Sequence, residues 1–506
     1  MADPRILIVT PEISYLPENL GKMAASMHAK AGGLADVTAS LVNSLYQAGA
    51  DVHLALPNYR RMFHIESCEL ADSDLRLYHS KLPDRRIHLA EDRIFYYRDR
   101  VYSPYPEDNL RSSLVFQREV INNIIPHVRP DIVHCNDWMT GLVPAMTRRM
   151  GIPSLFTLHN IHTVKILLEE IEETGIDTAE FWHYLYYESA PQNYEQTRSS
   201  IPVDLLTSGI FSAHWVNTVS PSFLEEIIAG DHGFIPDRIR NELDHKRCAG
   251  FASGITNAPD PSCDPLSDDA LVCNYNAENV SYGKRENKRE FQKRMQLKVN
   301  EDSPLIFWPS RLDPVQKGPE LLTDILANLM ECHHLQDLQI AFVADGAHAI
   351  HIEQIIAMEN LESRVSIHPF DDKLSRLGFA ASDFILMPSR FEPCGLTQMI
   401  AMKYGSLPVV HHTGGLKDTV EHLDVSASHG NGFVFNDYDC QAITWAIGCA
   451  MEFYQLESHM RETQIQRIIN EANTRFTHEQ TASEYMRLYE EMLGKPLHTA
   501  DHPTLA

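Results

Sequence analysis

The chain has 506 residues, enough for roughly two to four domains with two large ones favoured. Hydrophobic residues make up 43% and charged residues 22%, ordinary values for a folded chain. Acidic side chains outnumber basic ones 69 to 43, a formal net charge of −26. That balance argues against a nucleic-acid scaffold and against a peripheral membrane protein held by anionic lipid, both of which need a basic surface; it leaves room for a local basic pocket for a phosphorylated small molecule.

The first apolar run, 6–9, is too short for a signal-peptide core and has an acidic residue before it. No stretch of about 18 apolar residues occurs, so no membrane span is expected. The nine cysteines, at 68, 135, 248, 263, 273, 332, 394, 440 and 449, are widely spaced and contain no C-x-x-C, which predicts reduced thiols in a cytoplasmic protein and neither a disulfide framework nor a zinc site. In chain order, 5–10 reads as a buried strand, 35–48 as a helix ended by Gly49, and 52–56 as the next strand. Strands follow at 131–135 and 154–158 with a helix over 141–150 between them, and 215–219 closes this half. Residues 257–269 (NAPDPSCDPLSDD), rich in Pro and Asp, read as a linker or extended crossing near a hinge at 256. A second alternation has strands at 305–309, 339–344, 365–368, 384–387 and 407–410, with helices over 319–332, 437–454 and 482–493. Continuous apolar strands separated by helices predict parallel sheets covered on both faces. The expected fold is α/β: two doubly wound, Rossmann-like domains, 1–255 and 256–477, facing a central cleft, with ligands beyond the carboxyl ends of the strands.

Four motifs lie at such strand ends. Lys30-Ala-Gly-Gly-Leu-Ala-Asp36 precedes a helix; adjacent glycines permit close backbone approach, the helix start offers N–H donors, and Lys30 adds a point charge. It is neither a G-x-G-x-x-G fingerprint nor a P-loop. His134-Cys-Asn-Asp-Trp138 and Thr157-Leu-His-Asn160 end neighbouring strands. In Pro309-Ser-Arg-Leu-Asp-Pro-Val-Gln-Lys-Gly318, Arg311 and Lys317 suit a diphosphate, the first by forked hydrogen bonds and the second as a point charge. In Met387-Pro-Ser-Arg-Phe-Glu-Pro-Cys-Gly-Leu-Thr-Gln398 a carboxylate and a glycine precede a helix, and Thr413-Gly-Gly415 follows the next strand.

Taken together, K-x-G-G-L-A-D-V, H-x-x-D-W, T-x-H-N, S-R-L…Q-K-G, S-R-F-E-P-C-G-L-T-Q and T-G-G-L-x-D-T-V resemble bacterial glycogen synthases and plant starch synthases in order and approximate spacing from about residue 6 to 489. The resemblance implies a GT-B glycosyltransferase, with a C-terminal helix over about 478–506 crossing back to the first domain. It implies retaining transfer of glucose from a nucleotide-glucose, usually ADP-glucose, to the non-reducing 4-hydroxyl of an α-1,4-glucan, without a metal or other cofactor because Arg311 and Lys317 neutralise the diphosphate. By the same resemblance Lys30, Gly32 and Gly33 lie over the donor diphosphate, Leu396 and Thr397 add hydrogen bonds, and His159 meets the glucose or its developing charge. Glu392 holds sugar hydroxyls, Asp137 and Asn160 lie near the glucose, and Phe370 stands where the family has an aromatic residue against adenine. Asp36, Cys394, Gly395, Thr413 and Gly414 complete the expected substrate-binding set. No carboxylate is clearly placed as a covalent nucleophile, so the double displacement of retaining hydrolases does not transfer directly. A front-face reaction, in which the leaving phosphate takes the acceptor proton, is what the family is thought to use.

The chain departs from the family pattern at several places. Residues 14–29 form an insertion before the lysine motif, and Arg311 and Lys317 stand one residue farther apart than usual. L-N-G-x-D reads Thr256-Asn-Ala-Pro-Asp260, H-N-x-x-x-Q-G reads His159-Asn-Ile-His-Thr-Val-Lys165, G-x-G-D reads Ala344-Asp-Gly-Ala-His348, and a usual lysine is Thr207. These losses keep two other readings open: a related transferase with a changed donor, such as UDP-glucose, or a changed acceptor, and a non-catalytic glucan- or nucleotide-sugar-binding protein.

Overall fold

A computed structural model describes residues 3–16, 20, 24, 27–64 and 86–497. Cys68, half of the 14–29 insertion (17–19, 21–23 and 25–26) and the end of the expected C-terminal helix (498–506) lie outside the described residues. The chain divides into one unit of Met1–Val219, Leu224–Ile255 and His478–Ala506 and another of Ser220–Phe223 and Thr256–Thr477.

The first unit is built on strands β1 (Arg5–Val9), β2 (Asp51–Pro57), β3 (Ile87–Ala90), β4 (Ile132–Asn136), β5 (Ser154–Leu158), β8 (Trp215–Thr218) and β9 (Ala252–Gly254), in the order β3-β2-β1-β4-β5-β8-β9 with every pair parallel. A short antiparallel ribbon, β6 (Lys165–Ile166) and β7 (Val203–Asp204), lies outside this sheet. Central β1 is apolar after Arg5 because both its faces are covered, and Ile6, Leu7, Ile8 and Val9 are fully buried. Strand order turns at β1, which is flanked by β2 and β4, so the loops after β1 and β4 diverge there and open a ligand position. Helix Gly33–Gln47 starts two residues before the sequence suggested, and helix His478–Leu493 packs on it.

The second unit has β10 (Leu305–Trp308), β11 (Gln339–Val343), β12 (Val365–His368), β13 (Phe384–Met387), β14 (Leu407–His411) and β15 (Phe433–Phe435) in the order β12-β11-β10-β13-β14-β15, again all parallel. Its switch point lies between β10 and β13. Phe307 on β10 meets the edges of Phe291 and Phe379 at ring distances of 5.8 and 5.5 Å. Gly378 keeps that core closed, since a Cβ there would lie 2.7 Å from the Phe307 ring.

The sequence reading missed β3, β9 and β15, all at or near sheet edges and only three or four residues long, and 215–219 therefore does not close the first sheet. It also missed several helices, among them Pro106–Glu119, Asp237–Cys248, Val280–Arg294 and Ser458–Arg475. Val280–Arg294 hides its inner face behind charge: Lys284 and Lys288 are buried, the first donating to the carbonyls of Tyr404 (3.0 Å) and Ala380 (3.2 Å), the second pairing with Asp383 at 2.6 Å. The 257–269 crossing is anchored, because buried Asp268 accepts from Arg376 and from the Tyr404 hydroxyl, both at 2.6 Å.

Candidate active site

In the first unit, Asp137 directly follows β4 with φ 56° and ψ 179°, a conformation almost confined to glycine that costs about 1–3 kcal/mol. Its side chain explains why the backbone stays there. One carboxylate oxygen accepts the main-chain N–H of His159 (2.8 Å) and of Asn160 (3.4 Å), and the other accepts the Asn160 side-chain amide (2.9 Å). Asp137 thus ties the end of β4 to the end of β5. It is 2% exposed, and burial, reinforced by the charge of Glu12, outweighs the donors and pushes its carboxyl up to about 7.

His159 is the next link. Its Nε2 lies 2.9 Å from Asn136 Oδ1, and the Asn136 amide is oriented by its own donation to the Val9 carbonyl (3.1 Å). The imidazole therefore donates from Nε2 and carries a lone pair on Nδ1, and desolvation holds its pKa down to about 3, leaving it neutral at pH 7. His134, from the same motif, is structural: it bonds Tyr489 and Thr157 inside the unit.

The K-A-G-G loop follows β1. Lys30 pairs with Asp36 at 2.8 Å, so the two motif charges address each other. Gly32 is the N-cap of helix Gly33–Gln47, and a Cβ built on it meets nothing within 4 Å among the described residues, which leave the space over this glycine open. The loop is held by Glu12, a residue no motif contained. Its carboxylate accepts the N–H groups of Ala31 (2.7 Å) and Gly32 (3.0 Å) and the Tyr102 hydroxyl (3.1 Å). The available sequence signal was an acidic residue just after the most apolar strand.

In the second unit, the ends of β10, β13 and β14 come together. Lys317 Nζ lies 2.6 Å from Glu392 Oε2, which also accepts from Ser389 Oγ at 3.0 Å. The lengthened 311–317 loop is closed by Asp313, whose carbonyl takes the Lys317 N–H (2.8 Å) and whose carboxylate takes the Val315 N–H (2.9 Å). Arg311 is exposed and makes no ion pair among the described residues. Gly318 starts the following helix at φ 67°, where a Cβ would strike the Pro388 carbonyl at 2.3 Å. The T-G-G turn is wedged against E-P-C: a Cβ on Gly414 would lie 2.1 Å from the Glu392 carbonyl and one on Gly415 1.9 Å from the Cys394 carbonyl. Thr413 is buried at this turn. Gly395, at φ 70°, and Leu396 lead into helix Thr397–Lys403, and Gln398 ties that turn to Thr419 at 2.9 Å.

Cys394 and Phe370, two further expected substrate contacts, differ in their exposure. Cys394 is buried, its thiol pushed up to about 12 by desolvation against a main-chain bond from Asn257, so it offers packing and a carbonyl, not a reactive thiol. Phe370 is 56% exposed beyond β12, its N–H donating to Asp345 at 3.1 Å. Gly346, the surviving glycine of the altered G-x-G-D, has φ 152° and approaches the Leu312 carbonyl too closely for any Cβ (2.4 Å). Of the residues that depart from the family pattern, Thr163 bonds Asp204 (2.7 Å) and Lys165 pairs with Glu188, while buried Thr207 Oγ1 has no hydrogen-bond partner among the described residues.

Residues 5–239 match the starch synthase catalytic domain family and residues 289–468 match glycosyl transferases group 1. A glycogen synthase of Exiguobacterium sibiricum is 33% identical over 491 residues, covering 91% of this chain and 95% of that protein. The chain belongs to the glycogen synthase and starch synthase family. It is a glycosyltransferase. A second member of the family, a glycogen synthase of Moorella thermoacetica, is 34% identical over 479 residues, 90% of each chain. The catalytic domain of starch synthase IV from Arabidopsis thaliana, solved with ADP and acarbose, shares the fold with a TM-score of 0.77 at 24% identity, covering 98% of this chain and 100% of that one. Sucrose-phosphate synthase from Thermosynechococcus elongatus shares it more loosely, at 0.57 and 18% identity. Two parallel-sheet units of seven and six strands with these likenesses make this family member a GT-B protein. No helix among the described residues is long and apolar enough to cross a membrane.

Proposed function

We propose that the chain is an α-glucan synthase that moves glucose from ADP-glucose to the non-reducing 4-hydroxyl of an α-1,4-glucan with retention of configuration. The observation that carries this reading is the group at the β10 and β13 ends: Lys317 held by Glu392 at 2.6 Å, with exposed Arg311 on the same loop. A departing diphosphate gathers negative charge as the glucosyl group becomes oxocarbenium-like. Cations fixed beforehand lower that barrier because they need not reorganise. Arg311 and Lys317 supply that charge in place of a metal, and Leu396 and Thr397 add hydrogen bonds. Lys30, Gly32 and Gly33 serve the same diphosphate, the open space over Gly32 being what a phosphate requires.

Glu392 takes sugar hydroxyls through the oxygen not given to Lys317. His159 is suited to the glucose because a neutral imidazole with a free Nδ1 adds no positive charge beside a developing cation. Asp137 and Asn160 set the turn that carries it. Phe370 provides a face for adenine. The acceptor proton passes to the leaving phosphate in a front-face reaction. Free thiols at all eight described cysteines support a cytoplasmic setting.

ADP as the donor nucleotide is supported by the ligand named with the starch synthase IV structure, and the glucan acceptor by the glycogen synthase relatives. The test is to incubate purified protein with ADP-glucose or UDP-glucose and glycogen, with and without EDTA, and to measure nucleoside diphosphate release and product anomer. ADP release that survives EDTA, with an α-linked product, is expected. Release from UDP-glucose alone would identify a changed donor, and no release or binding of either donor would sink the enzyme reading.

A further inference from the structure

We propose that Glu12 is a positioning residue for the K-A-G-G loop: its buried carboxylate takes the main-chain N–H groups of Ala31 and Gly32 and presents the rest of the loop, Lys30 and Gly33, to the donor. This rests on the reading above that the loop serves the donor diphosphate.

Glu12 lies just after central β1, 2% exposed, and its main-chain carbonyl accepts from Thr10 Oγ1 at 3.0 Å. Oε2 binds both loop amides, at 2.7 and 3.0 Å, while Oε1 takes the Tyr102 hydroxyl at 3.1 Å. Successive N–H groups at a glycine turn before a helix are the donors an external anion would use. Here an internal anion already uses two of them. The loop's shape is therefore set before any ligand arrives, and its remaining attraction for phosphate comes from Lys30 and the first helical amide.

Glu12→Gln separates loss of the charge from loss of the hydrogen bonds. The amide oxygen still accepts from Ala31 and Gly32, and its NH2 donates to the Tyr102 oxygen, but the charge is gone. Glu12→Ala removes both. We expect Glu12→Ala to raise amide exchange at Ala31 and Gly32, and KM for ADP-glucose, by about tenfold or more, as loss of hydrogen bonds to a charged group implies. Glu12→Gln should keep protected amides and a KM within about twofold of wild type. Unchanged exchange or unchanged KM in Glu12→Ala overturns the positioning role. A wild type that turns over no sugar nucleotide defeats the donor-loop reading itself, whereas exchange at Ala31 and Gly32 still decides whether Glu12 holds the loop.

Discussion

Lys317 and Glu392 form one ion pair, 2.6 Å from Nζ to Oε2, with 14% and 7% of their side chains exposed. They come from the loops after two neighbouring strands, β10 and β13, on either side of the point where strand order turns. The contact fixes the ammonium on a long flexible stem and neutralises a carboxylate that burial would otherwise penalise. Removing one partner of such a pair leaves the other buried and uncompensated, at a cost of about 3–5 kcal/mol. Lys317→Ala is accordingly expected to cut turnover by at least about 100-fold and to lower the melting temperature. Adding Glu392→Gln should restore much of the stability and none of the rate. Steady-state kinetics and thermal melts of the single and double variants check this, and a near-normal rate for Lys317→Ala would show that the clamp is unused.

Two glycines of the site make opposite predictions. A Cβ on Gly415 would overlap the Cys394 carbonyl at 1.9 Å, so Gly415→Ala must displace backbone, and a fall in melting temperature is expected. A Cβ on Gly32 meets nothing within 4 Å among the described residues, and its φ of −156° suits any residue, so Gly32→Ala should melt like wild type. If that space receives the donor, Gly32→Ala instead raises KM for ADP-glucose with little change in melting. An unaltered KM would place the donor elsewhere.

Asp137 makes stability depend on pH in a defined direction. Its carboxyl titrates near 7 in the folded chain against 3.8 when unperturbed, so between those values the folded state binds more protons. Its contribution is fully present below about pH 4 and is lost as pH rises through about 7, a swing on the order of 4 kcal/mol. His134 and His159, both held down to about 3, act oppositely, gaining stability as pH rises from about 3 to 6.5. Asp137→Asn removes the first effect alone. Relative to wild type, the variant should gain stability as pH rises from 4 to 7 and level off above. Denaturant unfolding of both proteins across that range is the measurement, and a constant difference would refute the assignment.

Helix His478–Leu493 is tied into the first sheet by a directional chain. The Tyr489 hydroxyl donates to His134 Nδ1 (2.8 Å), His134 Nε2 to Thr157 Oγ1 (2.6 Å), Thr157 to Asn217, and Asn217 to the Tyr485 oxygen (3.0 Å), returning to the same helix. Tyr489→Phe strands a buried imidazole nitrogen and should cost about 1–3 kcal/mol. Combined with Tyr485→Phe, it should cost less than the two single losses added, because both cut one network. Additive losses in denaturant unfolding would mean the bonds act independently.

The interior strands were legible because strands covered on both faces carry unbroken apolar runs, as 6–9 and 384–387 do. Edge strand β9 was not, since three half-buried residues carry no such constraint. Helix Val280–Arg294 was not, since it buries lysines on carbonyls and a carboxylate where an apolar stripe is normally sought. Strand-end motifs stood out because polar residues directly after an apolar run have little reason to be there unless they face a ligand.

The sequence by itself determined the class of the protein: alternating apolar strands and helices require two covered parallel sheets, and the motifs at their ends point to a sugar-nucleotide transferase. Only the tertiary structure decided how those residues are held. Glu12 acts on amide groups that every residue possesses, so no spacing betrays it. Asp137 adopts its strained backbone because residues 159 and 160, far along the chain, supply the donors that compensate it. Lys317 finds Glu392 only because β10 and β13 are neighbours in the sheet. For Asp137 and Lys317 the partner is remote in sequence, and the interaction exists only after the sheet has brought two strand ends together.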